Sequence, residues 1–345
     1  MSNATLSRRD FLKLAALASA GAAFAPLPDK ILDLEAGNLG RVATRQLSVY
    51  AKPDDQSEIR YQRYRDDLIN LYYPEESEFG PTWNPLWYRV WGGYIHSAHL
   101  QKVDYRLNTN ITAFPEERTL GQICVPYTQS LMRLPKGQWK PTYRLYYHSL
   151  HWIMGLEEGP DGLPWYRLQD ELLEVDYLIP AEHIEPLSLS VFTPLSADVP
   201  PEKKRIQISL TRQELIAYEY ENIVLKTKIS SGVFDRKTGP ESTMTPSGQY
   251  NVMSKMPSKH MGDGNLTSNI EAYELLGVPW VSFFIPETGI AFHGTYWHEN
   301  FGVPMSHGCI NMRTEEAMWL FNWTTPVYQP GKEESIGYGT KVIVS

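Results

Sequence analysis

From residue 205 onward the chain alternates between apolar and polar positions. Ile206, Ile208 and Leu210 recur at every second position, as do Ile223, Leu225, Thr227 and Ile229. That period buries one face of a strand. "TPSGQYNV" (Thr245 to Val252) sets a turn ahead of another alternating run. "WVSFFI" (Trp280 to Ile285) is apolar almost throughout and predicts a strand buried on both faces. "GIAFHG" (Gly289 to Gly294) follows a Pro-Glu-Thr-Gly turn, with Ile290 and Phe292 on one face and Ala291 and His293 on the other. The strongest helical pattern is "TEEAMWLFNW", Thr314 to Trp323. Thr314 is placed as its N-cap, Glu315 and Glu316 at the positive end of the dipole, and Ala317, Leu320 and Phe321 as the buried stripe. "GTKVIVS" closes the chain as a last strand. Residues 205–345 therefore predict a β sandwich or mixed sheet with one or two helices.

The N-terminal half shows a different pattern, a repeat. "LWYRVWGGYIHSAHLQKV" (Leu86 to Val103) and "PWYRLQDELLEVDYLIPAEHIEPL" (Pro164 to Leu187) each begin with Trp-Tyr-Arg. Each then passes a short polar turn and ends in an apolar strand followed by a one-turn element. Short strands closely punctuated by Pro, Gly and Asp predict small antiparallel barrels, one over 41–105 and a divergent second over 119–190. The first copy resembles bacterial Src-homology-3-like modules; the second lacks the closing glycine pair. "PLSADVPPEKK" (Pro194 to Lys204), with three prolines and clustered charges, reads as a linker.

"SRRDFLK" (Ser7 to Lys13) followed by "LAALASAGAAFA" (Leu14 to Ala25) has the form of a twin-arginine export signal. Residues 1–25 are thus expected to lie outside the fold, and the protein to be exported to the cell wall or periplasm. Pro26 follows the small-x-small "AFA" and disfavours cutting there, so membrane contact is expected only through an uncleaved signal. The rest is globular in composition, with 42% hydrophobic and 21% charged residues. A net charge of −8 without Lys/Arg blocks argues against nucleic acid as a partner. Of the two cysteines, Cys124 sits between Ile123 and Val125 and reads as a small buried hydrophobe rather than half of a disulfide with Cys309.

Cys309 lies in "AFHGTYWHENFGVPMSHGCINMR" (Ala291 to Arg313), which also holds His293, His298 and His307. A thiol becomes a strong nucleophile when an imidazole or a helix N-terminus lowers its pKa, and both lie close in sequence. Gly294 and Gly308 leave backbone groups accessible, and an amide beside Cys309 could meet an oxyanion. A zinc site built from His293, His298, His307 and Cys309 is the rival chemistry, but the spacing fits no common zinc pattern. A structural turn of satisfied histidines is the third reading.

The order His293, a dozen-residue loop, then Ser306-His307-Gly308-Cys309-Ile310-Asn311 resembles the signature of L,D-transpeptidases. The resemblance extends over about 204–345, including an opening hairpin and the "TPSG" turn. It implies Cys309 as nucleophile, His293 as general base and acid, and the Gly294 carbonyl as the group orienting His293. It further implies that Ser306, His307 and Gly308 shape the oxyanion site and that Asn311 props the loop. His307, two residues from Cys309, is the other candidate base; a base fixed at a strand end is better preorganised. Tyr296 and Trp297 are candidates for a groove wall, and His298 is expected at the surface or facing substrate, without a role. The implied reaction joins peptidoglycan tetrapeptide stems, donor and acceptor, through a thioester into a 3→3 cross-link, with no metal or organic cofactor. A carboxypeptidase using water as acceptor and a non-catalytic wall-binding protein are the alternatives.

Overall fold

The computed structural model describes residues 38–111, 118–234 and 243–345. The twin-arginine stretch lies outside the described residues. The molecule is mainly β, with one α-helix among the described residues, Thr314–Trp323.

The sequence repeat is a structural one. In the first copy the hairpin Leu86–Val90/Gly93–His96 leads through a 3-10 turn, Ser97–His99, into the strand Leu100–Val103. In the second, Pro164–Asp170/Val175–Pro180 leads through Ala181–His183 into Ile184–Pro186. Each closing strand pairs antiparallel with a strand that opens its unit, Leu39–Val42 or Thr119–Ile123. Trp87, Tyr88, Trp165 and Tyr166 are all buried, which explains why the Trp-Tyr pair recurs. The ladders of the two units do not close into complete barrels. The first unit is two open sheets of three and five strands, and the second is one open seven-stranded sheet. Its strands Tyr127–Arg133, Trp139–Tyr146 and Leu150–Glu158 run to seven, eight and nine residues; the first two pair with each other, and Val175–Pro180 and Pro164–Asp170 lie between them and the third.

The C-terminal unit packs two five-stranded sheets face to face. In one, Lys204–Ser209 lies parallel to Lys341–Val344, so the beginning and end of the unit are joined. The other runs Ile310–Met312, Ile290–Gly294, Glu274–Ile285, Ser254–Gly262, Ser335–Ile336 in spatial order. Ile206, Ile208, Leu215 and Ala217 from the first sheet meet Trp280, Phe284, Ile290 and Phe292 from the second, with Ala317, Leu320 and Phe321 of the helix in the same cluster. The alternation over 223–229 holds except at its start. Ile223 is 55% exposed because Asn222–Lys228 is an edge strand.

The helix begins one residue earlier than expected. Its N-cap is Arg313, with no side-chain cap, and Thr314 is its buried first residue. The chain enters the helix directly from the strand Ile310–Met312, which leaves no loop in which a threonine could turn back to cap. The far end is held by hydrogen bonds: Nζ of the buried Lys255, whose pKa burial pushes well down, donates to the carbonyls of Phe321 and Thr324.

Candidate functional site

The strand Ile290–Gly294 runs parallel to Ile310–Met312, with Phe292 opposite Ile310 and His293 opposite Asn311. Continued one step back, this register sets Cys309 beside Ala291, and the two share an apolar cluster with Trp297 and Val278. Because side chains alternate, Ala291, His293, Cys309 and Asn311 belong to one face, while Ile290 and Phe292 enter the main core on the other. Neighbouring strands about 4.8 Å apart and a two-residue offset put the Cα atoms of His293 and Cys309 about 8 Å from each other. Both side chains line one cavity of about 400 Å3.

His293 is buried, and its Nδ1 lies 3.0 Å from the carbonyl oxygen of Gly294. A carbonyl only accepts, so Nδ1 carries the proton and Nε2 is left as a lone-pair acceptor. Burial pulls the His293 pKa down to about 4, so the ring is neutral near pH 7. Gly294 is required by its neighbours: a Cβ there would come within 3.0 Å of Thr314 Cα at the helix start.

The thiol departs from the sequence expectation. Burial pushes the Cys309 pKa up to about 11, only partly opposed by the Ala291 backbone amide. Its Sγ is 3.5 Å from the Gly289 carbonyl oxygen. The helix N-terminus does not reach it, because the strand Ile310–Met312 intervenes and the first helical turn packs on Gly294. The resting pair is a neutral thiol and a neutral imidazole. Cys309 is half-buried and free; Cys124 is buried and free.

The loop that carries Cys309 is tied from three sides. Ser306 Oγ accepts from the Gly308 amide at 3.1 Å and donates to the Cys309 carbonyl at 2.6 Å. The Gly308 amide is therefore committed within the loop. Gly308 has φ +126°, a conformation that side chains disfavour. Thr245, from the "TPSG" turn, donates to the Gly308 carbonyl at 2.7 Å while accepting from the Gly232 amide. Asn311 holds the next position, with its side-chain amide 2.9 Å from His298 Nε2.

His298 is the clearest correction. It is 2% exposed, with Nδ1 accepting from the Asn300 amide and Nε2 facing Asn311, so it supports the loop from within. Burial lowers its pKa to about 3. His307 is exposed and turns toward Tyr273, whose hydroxyl is 3.4 Å from its Nδ1. The three histidines and Cys309 thus point to different partners, and among the described residues no group of three His, Cys, Asp or Glu is placed to hold a metal.

Tyr296 and Trp297 both line the cavity, although Tyr296 is itself buried and donates its hydroxyl to the Leu276 carbonyl. Rings run continuously from Tyr146 stacked on Tyr296 (centroids 5.9 Å apart), through Trp297, to His293. Tyr146 belongs to the second N-terminal unit, and Arg41, Ala43, Arg65, Tyr143 and Arg144 of the two units line the cavity as well. Sequence reading missed these residues and Thr245 and Tyr273. They belong to separate units or loops and share no local spacing with the histidine and cysteine. The segment Thr267–Leu276 supplies the facing side of the cavity, with Tyr273 packed edge-on against the His307 ring.

Residues 203–344 match the family model YkuD, the L,D-transpeptidase catalytic domain. A protein of Bacillus subtilis (strain 168) that carries the L,D-transpeptidase designation, YqjB, is 29% identical over 126 residues. That match covers 36% of this chain and 64% of the relative, under two thirds of its length. Among solved structures, the catalytic domain of an Enterococcus faecium L,D-transpeptidase is 25% identical, with TM-score 0.30, over 42% of this chain and 98% of that one. An L,D-transpeptidase from Mycobacterium smegmatis is 19% identical, with TM-score 0.32, over 50% of this chain and 73% of that one.

Proposed function

Taking as premise that residues 203–344 are an L,D-transpeptidase catalytic domain, we propose that this protein cross-links peptidoglycan stem peptides through a thioester on Cys309. One observation carries the reading. Cys309 and His293 share a face of two parallel strands and open into one cavity, with the imidazole held as a neutral base whose Nε2 is unprotonated.

In the proposed reaction Cys309 Sγ attacks the carbonyl of the third stem residue as Nε2 of His293 takes the thiol proton. A neutral thiol beside a neutral imidazole means that this proton moves during the attack, not before it. With the Gly308 amide spent on Ser306, the Cys309 amide is the donor assigned to the oxyanion. The C–N bond to D-alanine breaks as its amine takes the proton from His293, and the thioester remains. A side-chain amine of a second stem then attacks the thioester and gives its proton to His293, forming the 3→3 amide. The thiolate leaves and takes that proton back from His293, which restores the neutral pair. Gly294 holds the ring orientation through both steps. His307, exposed and turned to Tyr273, is assigned to the cavity rim rather than to proton transfer. The twin-arginine pattern of residues 7–13 supports placing this activity outside the cytoplasm.

The test is product analysis of a disaccharide-tetrapeptide incubated with the full chain. Released D-alanine together with 3→3 dimer is the expected result. D-alanine and tripeptide monomer without dimer would assign the same thiol to carboxypeptidase chemistry, and an unchanged substrate would count for a wall-binding role.

A further inference from the structure

The catalytic family match begins at residue 203, yet one wall of the cavity comes from residues 41–146. Three arginines stand in that wall, and their hydrogen bonds separate them by role. Arg41, 2% exposed, is fully committed: Nε and Nη2 donate to Gln101, Nη1 to Asp66 and Nη2 also to the Tyr296 carbonyl, with the guanidinium 4.1 Å over the Tyr146 ring. Arg65 is a latch on the facing segment, with Nη1 donating to the Ile270 carbonyl at 2.7 Å and Nε 3.4 Å from the Glu271 carboxylate. Arg144 shares with Arg65 an Nε that makes no hydrogen bond, but where Arg65 has Glu271 3.4 Å from that atom, no carboxylate among the described residues pairs with Arg144 Nε. Its Nη1 donates to Asp66 at 2.7 Å, while its Nε is shielded from water. Its fork is only half used, and its side chain is 28% exposed.

Asp66 serves both Arg41 and Arg144, one through each carboxylate oxygen, and is 5% exposed. Two guanidinium groups on one carboxylate leave a surplus positive charge in a sheltered place, inside a chain of net charge −8. The second edge of a guanidinium fits a carboxylate with two parallel hydrogen bonds, a geometry that an ammonium does not reproduce. We propose that Arg144, held by Asp66 at the junction of the two N-terminal units, is a specificity residue of the active site that binds a carboxylate of the incoming stem peptide. This rests on the peptide-stem reading of the cavity. Two carboxylates could supply the charge, the one ending the peptide beyond the scissile bond and the one internal to the stem. The N-terminal units thereby become part of the substrate site instead of separate wall-binding modules.

The experiment uses the full chain with Cys309→Ala, so that binding is read without turnover. Calorimetry compares a synthetic stem tetrapeptide with its C-terminal amide and with the peptide amidated at its internal carboxylate. We expect one amide to bind at least about tenfold more weakly than the acid, the weight of one charge-assisted hydrogen bond. Adding Arg144→Gln should remove that preference while the weaker amide binds as before, which also shows that the fold is intact. Arg144→Lys, which keeps the Asp66 pair but not the fork, should retain only part of it. If Arg144→Gln does not fold, Arg144→Lys is read alone, a reduced preference supporting the proposal and an intact one overturning it. The proposal is also overturned if the parent shows no preference for the acid, or if the preference survives Arg144→Gln. Acid-selective binding by a protein whose intact Cys309 form turns nothing over would sink the transpeptidase reading and leave the arginine site standing. Turnover without selectivity would do the reverse.

Discussion

Cys309 should alkylate slowly and with a steep pH dependence. With the thiol pushed up to about 11 by burial, the thiolate fraction at pH 7.5 is about three in ten thousand. An unperturbed cysteine with a pKa of ~8.5 would be about one-tenth thiolate at the same pH, roughly three hundred times more. The iodoacetamide rate at Cys309 should therefore rise about tenfold per pH unit from pH 6 to 9, without a plateau. His293→Ala should leave that rate nearly unchanged, since a neutral ring contributes no charge to the thiolate. The same variant should cut acylation by stem peptide by about 10²–10⁴-fold, the usual weight of general-base assistance. Cys124, also pushed up to about 11 and only 6% exposed, should react more slowly still for want of access. The assay is peptide mapping by mass spectrometry after timed labelling at several pH values. A fast rate at Cys309, flat between pH 6 and 9 and lost in His293→Ala, would mean a preformed thiolate–imidazolium pair and would refute the neutral-pair account.

Three further outcomes follow from buried polar groups and the loop backbone. His260 is nearly inaccessible, and its ring nitrogens lie 2.8 Å from Asp170 and 2.8 Å from Glu274. Burial alone would lower its pKa, but the two carboxylates raise it, while the imidazolium and nearby amides hold the carboxylates low against the same burial. The His260 contribution is then complete below its unfolded value of ~6.5 and lost as pH rises through its raised folded value; the carboxylate contribution is lost on the acid side, as pH falls through their lowered values. His260→Gln should cost about 3–5 kcal/mol at pH 6 and flatten the fall in denaturation midpoint above neutrality. Arg41→Ala strips Asp66, Gln101 and the Tyr296 carbonyl of a shared donor. A loss of about 3–5 kcal/mol is expected, read as a lower melting transition together with weaker peptide binding. Gly308→Ala should cost about 1–3 kcal/mol of local strain, with Ile290 Cγ1 already 3.3 Å from the added Cβ. It should lose peptide turnover more than it loses melting temperature.

Much of the C-terminal unit was legible because its signals are local. Alternation placed Ile290 and Phe292 in one core and Ala291 and His293 on the other face, as the structure has them. The helix stripe of Ala317, Leu320 and Phe321 followed in the same way. What escaped depends on contacts between distant segments. His298 reads as a surface residue in an aromatic loop, and only the fold reveals Asn311 and Asn300 around it. The high thiol pKa arises from burial among residues of several strands, which no spacing encodes. Arg41 contacts Tyr296 across 255 positions, so the N-terminal wall of the cavity has no signature near the catalytic motif. The repeat, by contrast, was visible as Trp-Tyr-Arg, but the curvature that separates an open sheet from a closed barrel depends on strand length and pairing.

The most direct test of the account is the intact mass of the protein shortly after mixing with a tetrapeptide stem. The account requires a transient adduct of the tripeptide acyl group, mapped to Cys309 and absent in Cys309→Ala. D-alanine release with no adduct at any time, or an adduct that persists in Cys309→Ala, would contradict it.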